Sequence, residues 1–234
     1  MPSRTRIEAR LARPISRARS PLFALPLVVA AVLAMPGKSA AAEFKLSGSG
    51  TFKPPSAEQL AALPADLGFS RADLETGNWS FLVRYDDGLP DKNPDHYAAR
   101  YVGAVRALRL VIGNATVDLP AEQAEIVVSD GGGAYPNRES IRLEAKAPIP
   151  SGGTLRLAWV QANQQPRTTD LRGSAGVLPS DALPPPAMLA NLNTASPFDR
   201  FLELRVDGPG GDTKPLLYLS SSKLSVAATP ATAP

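Results

Sequence analysis

Beyond residue 43, apolar side chains recur at every second position. In NWSFLVRYDD, Trp79, Phe81, Val83 and Tyr85 share one face, with Ser80 and Arg84 on the other. A period of two marks a strand with one buried face. The same alternation runs through ESIRLEAKA, where Ile141, Leu143 and Ala145 oppose Arg142, Glu144 and Lys146. It recurs in GGTLRLAWVQA (Leu155, Leu157, Trp159) and in RFLELRVDG (Leu202, Leu204, Val206 against Glu203 and Arg205). VRALRLVIGNATVDLP predicts a hairpin: Leu108, Leu110 and Ile112 on one face, a turn at Gly113-Asn114, and a return over Ala115 to Leu119. Residues 124–130 predict another short strand, ended by three glycines, and EFKLSGSGTF an opening strand with Phe44 and Leu46 inward. KPLLYLSSSKLSV supplies the last strand or two.

Helix is scarce in this pattern. SAEQLAALPADLG predicts one or two turns from Ser56, stopped before Pro64, and DHYAARYVGA a short helical turn before the hairpin. The expected fold class is therefore all-β: a single antiparallel β-sandwich, jelly-roll or immunoglobulin-like, of about eight or nine strands over residues 43–225. Long loops join some strands, notably 53–73 and 162–199. The apolar residues of the second loop (Leu171, Val177, Leu178, Leu183, Met188, Leu189, Leu192) predict that it packs along an edge or end of the sandwich. Composition makes 226–234 a disordered tail.

The N-terminal 42 residues follow another pattern. Six arginines and one acid in the first 20 residues precede an uncharged apolar run from Pro21 to Met35, then small residues at Ala40 and Ala42. That order predicts a secretory signal peptide over 1–42, with the rest exported to a periplasmic or extracellular space. The apolar run is shorter than the roughly 20 residues a membrane span needs, so no span is expected in the mature chain. Residues 1–42 hold seven of the 25 basic residues and one of the 22 acidic ones, leaving 18 and 21, a net charge of −3. The high isoelectric point belongs to the leader, and a nucleic-acid partner is not expected.

Cysteine is absent, which excludes thiol nucleophiles and Cys-ligated zinc, and a single histidine excludes sites that need two. GSGT (48–51) and GSAG (173–176) lack the spacing of a nucleophile elbow, and SDGGGAYPN lacks the Lys-Ser/Thr end of a phosphate loop. No catalytic residue is expected. The most chemical stretch is RYDDGLPDKNPDH, with four aspartates, two prolines and His96. Asp86, Asp87, Asp91 and Asp95 are hard oxygen donors, the type calcium selects, though their spacing is not that of an EF-hand. The same residue types build turns, since Asp accepts from nearby backbone N–H groups and Pro fixes φ. The turn reading is the first expectation and a weak calcium site the second. Trp79 and Trp159 sit in apolar rows, and so are expected in the core rather than on a sugar-stacking face.

Taken in order, NWSFLVRYDDGLPD, YVGAVRALRLVIG, IVVSDG, LRGSAGVLPSDALP and LANLNTASPFDRFLELR resemble a loose group of uncharacterised bacterial exported β-sandwich proteins. Many members end in a PEP-CTERM sorting tail. SVAATPATAP departs from that pattern, with neither an apolar anchor nor a terminal basic cluster. The resemblance implies an exported sandwich without an established enzymatic role, and it carries over no functional residues. The expected function is a non-enzymatic structural or interaction module of the cell envelope or matrix, with a protein or polysaccharide partner. The alternative is a calcium-assisted carbohydrate- or polymer-binding module.

Overall fold

Alternation becomes architecture when two sheets turn their apolar faces toward each other. The computed structural model describes residues 42–189, 192, 200–210, 215–221 and 224–230. Residues 1–41 of the proposed leader lie outside them. The strands are β1 (Glu43–Thr51), β2 (Asn78–Asp86), β3 (Ala98–Val102), β4 (Val105–Ile112), β5 (Ala115–Leu119), β6 (Ala124–Asp130), β7 (Arg138–Pro148), β8 (Thr154–Gln164), β9 (Arg200–Asp207), β10 (Leu217–Ser221) and β11 (Leu224–Pro230). One sheet has the order β11-β1-β2-β4-β5 and the other β10-β9-β8-β7-β6-β3. Neighbours are antiparallel throughout. The expected all-β sandwich is the fold.

A single apolar core lies between the sheets. Trp79, Phe81, Val83 and Tyr85 of β2 and Leu108, Leu110 and Ile112 of β4 are buried from one side. Ile141, Leu143, Leu155, Leu157, Trp159, Leu202, Leu204 and Val206 are buried from the other. The Phe81 and Trp159 rings meet at 5.7 Å between centroids. Room for Phe81 comes from β1, where a Cβ on Gly48 would lie 2.5 Å from its ring. Burying a ring of that size contributes about 2–3 kcal/mol, so this glycine favours packing over strand propensity.

Two short helices occupy the loop after β1. α1 (Ala57–Ala61) starts at Ser56, whose hydroxyl accepts from Gln59 N–H while the Gln59 side chain accepts from Ser56 N–H. This reciprocal capping is the expected start. α2 (Arg71–Glu75) was not expected. It is capped likewise by Ser70 and Asp73, and Asp73 also accepts from Asn114 N–H at 3.0 Å in the β4–β5 turn. A third short helix, α3 (Pro186–Leu189), lies in the late connection.

Three expectations need correction. The strand count is eleven among the described residues, not eight or nine. The turn of helix expected in DHYAARYVGA is β3, an edge strand, because its backbone completes the ladder on β6 from Ala98↔Ser129 to Val102↔Glu125. The tail expected from 226 onward begins too early, since the backbone of 224–230 pairs with β1 from Leu224↔Gly50 to Pro230↔Phe44. Pairing with an edge, not side-chain composition, sets that segment's structure. Among the described residues, no helix is long and apolar enough to cross a membrane.

Candidate functional site

RYDDGLPDKNPDH begins where β2 runs out. Asp86 accepts from Gly88 N–H at 3.2 Å and pairs with Arg106. Asp91 accepts from Asn93 N–H at 2.8 Å, Asn93 from Asp95 N–H at 3.3 Å, and Asp95 from Tyr97 N–H at 3.0 Å. Each bond joins a side-chain oxygen to the N–H two residues on, so the stretch is a succession of Asx turns. Asp91 also accepts from Arg100 N–H at 2.7 Å, and Asn93 donates to Ala98 O at 2.5 Å, which closes the loop against β3. Asp87 accepts from Ala42 N–H at 2.8 Å. His96 is exposed. Asp86, Asp87, Asp91 and Asp95 are thus spent on separate backbone donors. Among the described residues, no three acidic or histidine side chains gather so as to hold a metal ion.

A denser polar group lies inside. The core-facing row of the larger sheet ends in Asp130 on β6, Glu139 on β7 and Asn163 on β8, in register as Asp130↔Glu139 and Glu139↔Asn163. Their exposures are 1%, 0% and 6%. One row deeper, Gln161 is also buried, at 3%. Asn163 donates to Glu139 Oε2 at 2.9 Å and accepts from Gln165 at 2.9 Å. Buried carboxylates need such donors, because burial without them costs several kcal/mol.

The remaining donors come from the connection between β8 and β9. Gly173 N–H donates to Asp130 Oδ2 at 2.8 Å, and Leu178 N–H to Glu139 Oε1 at 2.6 Å. Both glycines of GSAG are explained here. Gly173 has φ of +67°, in the left-handed region. A Cβ on Gly176 would lie 2.1 Å from Glu139 Oε1. Beyond them Leu178, Leu183, Leu189 and Leu192 join the core. Tyr85 donates to Pro184 O at 2.9 Å, Tyr101 to Asp181 O at 3.1 Å, and Gln161 to Leu189 O at 2.5 Å. The connection therefore plugs one end of the sandwich, as its apolar residues predict.

Electrostatics at this end are one-sided. Burial pushes the Asp130 carboxyl up to about 6, and the neighbouring charges of Glu139, Asp181 and Asp170 add to it against the opposing Gly173 N–H. Asp181 is also raised, by burial first and then by Asp91 and Asp95, with His96 opposing. Burial raises the Tyr101 phenol to about 12 and moves the Tyr85 phenol upward too. Asp170 is held down at about 2 by its pairing with Arg172.

Apolar alternation alone does not reveal the buried row, because its own residues are polar. Continued two places at a time, Ile126-Val128 reaches Asp130, Ile141 reaches back to Glu139, and Trp159 reaches Gln161 and Asn163. Polar residues in phase with an inward row are the signal. Asp130 lies opposite Glu139 across the β6–β7 ladder. In comparisons with protein-family models, curated proteins and solved structures, the chain finds no significant match.

Proposed function

We propose that this protein is a non-enzymatic β-sandwich module, exported and acting by structure and surface in the cell envelope or extracellular matrix. The observation that carries this reading is the sealing of Asp130 and Glu139, the carboxylates best placed to work as a pair. Both lie at most 1% exposed, with the backbone N–H groups of Gly173 and Leu178 covering them in the seated plug. General acid–base chemistry needs the group within hydrogen-bond reach of the reacting proton. The exposed aspartates serve as turn caps. Support for export comes from the pattern of residues 1–42 and from the resemblance to exported sandwich proteins.

Contact with a partner falls to the open sheet faces. On β1, β2 and β4 the outer face carries a shallow depression of 390 Å³ floored by Ser47, Ser49 and Ser80 and edged by Leu82, Arg109 and Val111. Small hydroxyl side chains beside an apolar edge and the Arg109–Asp118 ion pair suit an extended polar polymer such as a polysaccharide. Cosedimentation with insoluble cell-envelope polymer tests the reading. Retention that survives chelation and is weakened by Ser80→Arg is expected, with no new reducing ends released. Release of reducing ends would overturn the non-enzymatic reading, and retention lost on chelation and restored by calcium would favour the calcium-assisted alternative.

A further inference from the structure

The larger sheet buries three carboxylates, and they are treated differently. Asp207, 4% exposed, faces the guanidiniums of Arg156, at 2.6 Å, and Arg205. Asp130 and Glu139 form no ion pair with Lys or Arg among the described residues. The charges acting on Asp130 are Glu139 across the ladder and Asp170 and Asp181 of the plug, all negative. Asp95 and His96, ahead of β3, act on Asp181. Arg172, the cation nearest in sequence to the Gly173 donor, is held by Asp170 at 2.9 Å and lies 5.4 Å over the Tyr97 ring. Arg138 precedes Glu139 but alternates to the other face of β7, and β8 contributes only the uncharged Asn163 and Gln161.

Two like charges facing each other in a dry ladder cannot both persist cheaply. The two carboxylates differ in their hydrogen bonds. Both oxygens of Glu139 receive donors, from Leu178 N–H and the Asn163 amide. Asp130 receives one, from Gly173, and its Oδ1 is buried without a partner. That atom is where a proton belongs, since protonation turns a lone acceptor into a donor with Glu139 opposite it.

We propose that Asp130 and Glu139 hold one proton between them when the plug is seated, so that mild acid favours closure of this end of the sandwich. Ionised Asp130 is tolerated when the plug lifts and water enters. The direction follows from the raised carboxyl. The closed state keeps a proton between roughly pH 4 and 6 that an open, hydrated state releases. The stabilisation is full below about pH 4 and is lost as pH rises through about 6. The depressed carboxyl of Asp170 acts with the opposite sign between about pH 2 and 4, below this window.

Thermal unfolding of the full chain at pH 7.5 and pH 5 reads the effect. The midpoint is expected to be higher at pH 5 by about 5 °C. Asp130→Asn, which imitates the protonated carboxyl in shape, is expected to abolish most of that difference. Asp181→Asn is expected to keep most of it. A wild-type midpoint unchanged between the two pH values, or full pH dependence in Asp130→Asn, overturns the proposal. Should that variant fail to fold, amide exchange in the wild type decides. Protection of Gly173 and Leu178, corrected for intrinsic rates, rises at pH 5 if the plug is latched by the proton, and equal protection at both values overturns it.

Discussion

Two acid-rich regions use the same chemistry at opposite ends of its range. Between Asp86 and Tyr97, side-chain oxygens accept backbone N–H groups two residues on. At Asp130 and Glu139 they accept N–H groups 43 and 39 residues on. The first set shapes a turn that water surrounds and would otherwise satisfy. The second fixes a distant segment where no water competes. A hydrogen bond to solvent-exposed backbone is worth little on net, whereas losing a buried charged partner costs the desolvation of everything it served. The conspicuous aspartates are therefore the replaceable ones.

Substitutions can break this contrast, and the largest effect belongs to Glu139. Glu139→Ala leaves Leu178 N–H and the Asn163 amide without an acceptor and is expected to cost about 3 kcal/mol by urea unfolding. A cost under about 1 kcal/mol would mean that the buried row contributes no more than the exposed loop. Gly176→Ala comes next, at about 2 kcal/mol, because the added Cβ overlaps the Glu139 carboxylate. In a Glu139→Ala background most of that cost is expected to vanish, and additive costs would show that the clash lies elsewhere. Asp91→Ala removes an acceptor from two backbone donors at the surface, for about 1 kcal/mol. Asp95→Ala removes one, for about 0.5 kcal/mol. Should either surface change match Glu139→Ala, burial would not be what separates the two regions.

Much of the sandwich was legible because its strands are half-buried, so Trp79-Phe81-Val83 and Leu155-Leu157-Trp159 mark the core directly. The Gly113-Asn114 turn was legible for a local reason too: Gly113 takes φ of +58°, which glycine adopts freely. What escaped depended on partners far along the chain. β3 offers only Ala99 and Tyr101 to the core and follows a run of turn formers. The start of β11 was legible in SKLSV, but its later residues have a loop-like sequence and owe their strand to β1. α2 carried a readable Ser70-to-Asp73 cap, but one buried residue, Leu74, gives no helical period. The functional candidate split the same way. Turn chemistry is written in neighbouring residues, while the Asp130–Glu139 row exists only once β6, β7 and β8 are placed side by side.

The pairing of β1 with β11 has a consequence in time. Phe44 lies opposite Pro230, so the first strand of the fold waits for the last. In a chain delivered from its N-terminal side, β1 and β2 can form a hairpin early, but the smaller sheet stays one strand short until residues 224–230 arrive. Contacts this distant slow folding, because the intervening chain must be closed before they repay its entropy. The smaller sheet is therefore completed only when nearly the whole chain is present.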